Sequence, residues 1–176
     1  MTILYLVRHG ETKDNARKIM QGQTQGELNE EGIRQAHALS QQLEHESIDV
    51  FVASDLKRSV DTCRILAEPH GKDVATTQLL RERDWGSFTG RYIPDLKNEV
   101  WPDDIESIDA LLNRAHAFLR YIIDNYPDKR VLAVGHGIVN KAIQAVYYGK
   151  RMQDVERMGN CEVRKLTLEL LLSAKH

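Results

Sequence analysis

Cysteine is scarce: Cys63 and Cys161 are the two in 176 residues, and they form no CxxC pair. That excludes a disulfide-built scaffold and a cysteine-rich zinc site. An excess of one charge is missing too. The 24 Lys and Arg stand against 26 Asp and Glu, a formal net of −2, so nothing draws the whole molecule to nucleic acid or an anionic membrane. A local arginine cluster is still compatible with this balance. No apolar run approaches the roughly 20 residues needed to span a bilayer. The opening MTILYLVRHGE has no basic n-region, and its apolar run stops at Arg8. An export signal is therefore not expected, and a cytoplasmic location is. No stretch is repeated, low-complexity or rich in proline and glycine. One domain over residues 1–176 is expected, in a chain long enough to bury roughly 70% of its unfolded surface.

Against these absences stand three short apolar runs, at 3–7, 49–54 and 130–135. They are rich in Val, Leu and Ile and too short for core helices, as interior strands of a parallel sheet are. Weaker strand patterns occur at 74–80 and at 163–172, where Leu166, Leu168, Leu170 and Leu172 alternate with polar residues. Helical periodicity fills the intervals. Residues 30–44 put Ile33, Ala36, Leu39 and Leu43 on one face, and residues 57–68 do the same with Val60, Cys63 and Ala67. The strongest helical pattern runs over 105–124 from Ile108 through Leu111, Leu112, Ala115, Phe118, Leu119, Ile122 and Ile123, and another helix is expected from about Val139 to Tyr148 with Gly149 as its stop. Strands alternating with helices predict an α/β layer fold with helices on both sheet faces.

In such a sheet, ligands bind beyond the carboxyl ends of the strands. The first strand ends in Arg8-His9-Gly10, the second leads into Ser54-Asp55-Leu56-Lys57-Arg58, and the run at 130–135 ends in His136-Gly137. Each His-Gly is expected to open a helix start with unpaired N–H groups. Guanidinium groups at Arg8 and Arg58 add donors that match phosphate bidentately. Together these predict an anion site for a phosphate or phosphoryl group.

LVRHGET at 6–12 with Asn15, SDLKRSVDT at 54–62, LLRERDWGSFTG at 79–90, AVGHGIVNKAI at 133–143 and NCEV at 160–163 form an ordered set. It resembles the histidine phosphatase superfamily, the phosphoglycerate mutase-like proteins, over nearly the whole chain. The resemblance implies a three-layer α/β/α fold with a mostly parallel sheet and one antiparallel edge strand. It implies His9 as the nucleophile that becomes a phosphohistidine, and Glu82 as general acid and base, with Asp84 as the fallback. His136, Arg8, Arg58 and Asn15 would bind the phosphoryl group, with Gly137 beside them. By family position Gln21 and Gly22 line the same pocket. No metal or other cofactor is implied, because arginines and histidine supply the charge that Mg²⁺ supplies elsewhere. Two positions depart from the family pattern: Glu27 stands where a proline is usual, and Thr89 where an acid is common.

The partner implied is a small phosphorylated substrate, with room for a homodimer. Only about 50 residues separate Glu82 from His136 and the 105–124 helix takes many of them, so the cap (about 86–104) is short. A small cap favours hydrolysis of phosphomonoesters over a cofactor-dependent phosphoglycerate mutase, which must shield its phosphohistidine from water. An α-ribazole 5′-phosphate type of substrate is among those the resemblance allows. A metal-dependent hydrolase is disfavoured by the lack of an HExxH or HD pair. An inactive phospho-ligand binding module is disfavoured by the retained nucleophile and acid. Tyr92 and Trp101 either stack on a substrate ring or pack the cap. Cys161, His37, His45, His70, His116 and His176 are expected to be structural or solvated.

Overall fold

The computed structural model describes residues 1–169. Five strands form one sheet: β1 (Thr2–Arg8), β2 (Val50–Ala53), β3 (Val74–Thr76), β4 (Arg130–Gly135) and β5 (Val163–Leu168), in the order β3-β2-β4-β1-β5. All pairs are parallel except β1 with β5, so the antiparallel strand lies at the edge as expected. The helices are α1 (Lys13–Arg17), α2 (Glu30–Leu43), α3 (Lys57–Ala67), α4 (Ile108–Asn125) and α5 (Gly137–Tyr148).

The interior strands are covered on both faces, which is why they read as unbroken apolar runs. On one face Leu4, Leu6, Val52, Val131 and Ala133 pack with Leu111, Phe118, Leu119 and Ile122 of α4 and with Val139 and Ile143 of α5. On the other, Tyr5, Val7, Phe51, Ala53, Leu132 and Val134 pack with Leu39 and Leu43 of α2 and with Cys63 and Leu66 of α3. Each such aliphatic side chain contributes roughly 1.5–3 kcal/mol when fully buried. The arrangement also fixes the position of the site. Adjacent strands β1 and β4 feed helices on opposite faces, α2 on one and α5 on the other, and a crevice opens where neighbouring strands part in this way.

Several expectations need correction. The run at 74–80 is strand only through Thr76; Gln78–Leu80 is a 3₁₀ turn, because this edge strand lies exposed at Ala75 and Thr76 and has one neighbour. The continuation of β5 through Leu170 and Leu172 lies outside the described residues, as does His176. Ile33 is 42% exposed. The buried stripe of α2 instead begins at Gly32, where a Cβ would stand 2.0 Å from the Glu11 carbonyl oxygen. The helix start presses on the chain leaving β1 so closely that a residue without a side chain makes the contact, and apolar periodicity does not register it. Ile108, the first residue of α4, is also half-exposed, and the residues before it are not helical; Ser107 caps the helix by accepting from the Ala110 N–H.

Candidate active site

The cleft beyond β1 and β4 has a volume of about 280 Å³ and is lined by Arg8, His9, Asn15, Gln21, Gly22, Arg58, Glu82 and Gly137, among others. These residues come from six separate stretches of sequence. His9 and His136 follow two paired strands, with Arg8 opposite Gly135, and their rings meet edge to face at 5.1 Å between centroids. His136 is fully buried, packed against His9, which lines the cleft.

His9 is 2% exposed. Its Nδ1 lies 2.7 Å from the Gly10 carbonyl oxygen. A carbonyl only accepts, so Nδ1 carries the proton and Nε2 keeps its lone pair. Burial, then the neighbouring Arg58 and Arg8 charges, hold the ring well below the usual histidine range, against the pull of the Gly10 carbonyl. The ring is therefore neutral and available as a nucleophile near neutral pH. The backbone here is pinned: the Gly10 N–H donates to Thr62 Oγ1, and Asn160 Nδ2 donates to the His9 carbonyl. The Cys161 N–H donates to the carbonyls of Arg8 and His9. Burial pushes the Cys161 thiol up to about 12, which suits a structural residue.

His136 has an unpartnered buried Nδ1, while Nε2 lies 2.7 Å from Ser54 Oγ and 3.0 Å from Ser59 Oγ. Burial and the charges of Arg58 and Arg8, with His9 close by, push it well below the ordinary value.

Arg8 is held by a bond from Nη1 to the Met158 carbonyl at 2.8 Å, and its Nε is buried without a partner. Arg58 donates from Nη2 to the Gly22 carbonyl and from Nη1 to the carbonyls of Thr24 and Gln25. Both terminal nitrogens thus serve the 22–25 loop, which qualifies the simple bidentate fork expected from sequence. Its Nε is left buried and unpartnered. Burial lowers Arg58 to about 10, so it remains charged at neutral pH. The cleft thus holds two buried guanidinium donors that no protein group satisfies, Arg8 Nε and Arg58 Nε.

The helix starts also differ from expectation. After Gly10 comes only the five-residue α1, whose first turn is closed by a capping box between Thr12 and Asn15. The N–H groups of Lys13, Asn15 and Ala16 are taken by Glu27 and Thr12, so this short helix offers an anion far less than the expected helix start. Asn15 instead lines the cleft with Oδ1 occupied by the Thr12 N–H, leaving its amide NH₂ as the donor. Gln21 is fixed in the same way, its Oε1 accepting from the Thr12 hydroxyl. Gly22 has φ +52° and presents its carbonyl to Arg58.

At α5 the Glu82 carboxylate takes the helix start. Oε1 accepts from the N–H groups of Arg83 and Val139, and Oε2 from that of Ile138, all at 2.9–3.0 Å. This fixes the acid beside Gly137 at the cleft. Asp84, the fallback acid, is exposed and accepts from the Gly86 N–H, and does not line the cleft.

Met20, Trp85, Ile93, Ile138 and Arg157 also line the cleft; Trp85 and Ile138 fall inside the blocks at 79–90 and 133–143 without a role assigned there, and the other three lie outside every block. Trp101 packs edge-on against Trp85 and Phe88, so it seats the cap. Tyr92 is half-exposed and bridges to Ile19. Among the described residues no group of three or more His, Cys, Asp or Glu is placed to hold a metal ion, and no helix is long and apolar enough to cross a membrane.

Residues 4–170 match the model of the histidine phosphatase superfamily, branch 1. A probable phosphoglycerate mutase GpmB of Yersinia pestis (strain Pestoides F) is 31% identical over 94% of this chain and 85% of its own length. A mycobacterial glucosyl-3-phosphoglycerate phosphatase in complex with VO3 superposes with a TM-score of 0.84 at 28% identity, covering 94% of this chain and 92% of that one. YhfR of Bacillus stearothermophilus does so with a TM-score of 0.88 at 26% identity, covering 97% and 93%. With its paired strand-end histidines and buried arginines, the chain belongs to the histidine phosphatase superfamily.

Proposed function

We propose that the protein is a metal-independent phosphatase that hydrolyses small phosphomonoesters through a phosphohistidine on His9. The observation that carries this reading is the Nδ1 bond of His9 to the Gly10 carbonyl, which leaves a neutral Nε2 lone pair toward a cleft lined by Arg8 and Arg58. In the first step Nε2 attacks phosphorus as the ester P–O bond breaks, and Glu82 in its protonated form gives the leaving oxygen a proton. In the second step water attacks the phosphohistidine, Glu82 takes the water's proton, and the N–P bond breaks to release phosphate. Arg8, Arg58, His136, Asn15, Gln21 and Gly137 stabilise the oxygens of the transferring group, and Gly22 orients Arg58. Positioning and charge supply most of the rate in phosphoryl transfer.

A second reading, a phosphoglycerate mutase, is favoured by the probable mutase at 31% identity. That relative is matched over 85% of its length, so chain length alone does not separate the two activities. What supports hydrolysis is the cap. Its regular structure between residues 86 and 104 is two 3₁₀ turns, Gly86–Phe88 and Ile93–Leu96, and the cleft keeps an exposed residue, Arg157, in its wall. A wall with an exposed residue leaves the cleft open to solvent on that side, which supports attack by water over retention of the phosphoryl group.

Rapid quenching at neutral or alkaline pH with a phosphorylated substrate, followed by mass spectrometry, tests the mechanism. The phosphoryl group is expected on His9, and His9→Ala is expected to lose all turnover. A phosphoryl group elsewhere, or an active His9→Ala protein, overturns it. With 3-phosphoglycerate, release of inorganic phosphate supports hydrolysis, and an isomeric phosphoglycerate as main product supports the mutase.

A further inference from the structure

Residues 81–85, which carry Glu82, belong to no helix or strand. No ladder of backbone bonds fixes them, so side chains must. Arg114, near the start of α4, supplies most of that hold. The side chains of Arg114 and Glu106 are 16% and 15% exposed. Withdrawing a guanidinium this far from water is costly unless its donors are matched, and all five N–H groups are used. Nε donates to Glu106 Oε2 at 3.0 Å and Nη2 to Glu106 Oε1 at 2.8 Å, a fork meeting a carboxylate at two points. The other donors go to the backbone. Nη1 serves the carbonyls of Leu79, at 3.0 Å, and Arg81, and Nη2 serves that of Glu82 at 3.3 Å. The Glu82 carbonyl also accepts from Gln23 Nε2. One side chain on a helix thus grips the acid's own peptide and the two carbonyls that lead to it.

Glu106 holds the far side of the same segment. Its Oε1 accepts from the Asp84 N–H at 3.0 Å, and its own N–H donates to the Asp84 carbonyl at 2.9 Å. Its carbonyl accepts from Nε of Arg83 at 2.8 Å. Burial opposes the charge on Glu106, yet the Arg114 guanidinium and the Asp84 N–H hold its carboxyl below the usual range. Both ends of 79–84 are therefore tied to the Arg114–Glu106 pair, and neither member of the pair lines the cleft. On the cleft side the Glu82 carboxylate accepts from the N–H groups of Arg83, Ile138 and Val139. Proton transfer requires its oxygen within hydrogen-bond reach of the leaving oxygen. A shift of about 1 Å in the backbone that carries such a group costs on the order of 10²-fold in rate.

We propose that Arg114, paired with Glu106, is a positioning residue that sets the place of the Glu82 carboxyl from outside the cleft, so that losing its fork weakens proton transfer to the leaving group and spares phosphate binding. This rests on the phosphatase reading for the proton transfer. Arg114→Lys keeps a charge beside Glu106 but not five planar donors. Its kcat/KM is expected to fall by about 10-fold or more with glycerol 3-phosphate, part of what general acid catalysis supplies, and by less than about threefold with p-nitrophenyl phosphate, whose leaving group departs without a proton. Affinity for inorganic phosphate, by calorimetry, should change little. Equal losses on the two esters overturn the proposal, because a generally disturbed site fails on both alike. Full activity on both overturns it too, because a lysine charge would then suffice. Hydrogen exchange gives a readout without turnover. The amides of Arg83, Ile138 and Val139 are expected to exchange about 10-fold or more faster in Arg114→Lys, while those of β1 and β4 keep their rates. Unchanged rates at the three amides, or a rise shared by the whole sheet, overturn the proposal. Glu106→Gln, which leaves Arg114 without its carboxylate, is expected to show the same pattern, and wild-type behaviour in that variant overturns the proposal even where Arg114→Lys does not fold. A wild-type protein without turnover on any ester would remove the phosphatase reading, and the exchange rates would still judge Arg114.

Discussion

Ser54 Oγ lies 2.7 Å from Nε2 of His136. The serine follows β2 and the histidine follows β4, and their contact leaves Nδ1 as the ring nitrogen without a partner. If Nε2 accepts a hydroxyl proton, Nδ1 must carry the ring proton, and the unpartnered Nδ1 becomes a donor to phosphate. Ser59 offers a second hydroxyl at 3.0 Å. The double variant Ser54→Ala/Ser59→Ala is expected to lower kcat by about 10-fold or more, the cost of roughly one well-placed hydrogen bond in the transition state. KM should change much less. Steady-state kinetics with a circular dichroism check for folding measure this, and full activity in the double variant would show that the hydroxyls do not set the tautomer.

Glu82 caps α5 and, in the proposed mechanism, also moves a proton. Glu82→Ala removes an acceptor from the N–H groups of Arg83, Ile138 and Val139, with an expected stability loss of about 1–2 kcal/mol by chemical denaturation. Loss of general acid catalysis is expected to cost about 10²–10⁴ in kcat/KM with alkyl phosphates. With p-nitrophenyl phosphate, whose leaving group departs without a proton, the loss should be far smaller. Equal losses on both substrates would take the acid role away from Glu82.

Arg58 joins the 22–25 loop to the cleft, where the proposed function has it bind the phosphoryl group. Arg58→Ala is expected to weaken vanadate or phosphate binding by about 10–100-fold, the range for a charge-assisted bond. Arg58→Lys should restore little of it, since an ammonium lacks the planar fork that serves the carbonyls of Gly22, Thr24 and Gln25. Calorimetry decides the point, and unchanged affinity would mean that Arg58 serves the loop alone.

The two histidines also tie stability to pH. Both are held well below their ordinary value in the folded protein, so unfolding below about pH 6.5 takes up protons that the native state does not hold. Stability is whole above the unfolded-state value and falls as pH drops below it. Each histidine contributes a slope of about 1.4 kcal/mol per pH unit until its folded form protonates. Urea midpoints in the ligand-free protein should therefore fall between about pH 6.5 and 5. Replacing His136 by Gln should flatten the slope; an unchanged slope would mean that His136 does not contribute to it.

Much of this was legible in the sequence, for a physical reason. The parallel strands are buried on both faces and show as apolar runs, and the His-Gly pairs sit directly at their ends. Arg8, His9 and Arg58 were reached this way and Glu82 through the family resemblance, and all four line one cleft. The contribution of Ser54 and Ser59 was not legible, since a hydroxyl beside a strand end reads as a turn residue. Arg157 carries no motif at all; only the approach of the chain before β5 to Gly137 brings it to the cleft. The stripe of α2 holds at Ala36, Leu39 and Leu43 but begins at Gly32 rather than Ile33, because the close contact there is made by a glycine, which hydrophobic patterning cannot count.

The pairing of β1 with β4 has a consequence for how the protein is made. Val7 lies opposite Val134, 127 residues later, and His9 reaches His136 through that pairing alone. A ribosome that has delivered the first strand, with its His9, has produced no site. The sheet's central position stays open until β4 arrives to occupy it between β1 and β2. Contacts so distant in sequence form slowly and late, so recovery of activity after refolding reports the closing of the sheet's centre, and a chain truncated before residue 130 has nothing with which to complete the histidine pair.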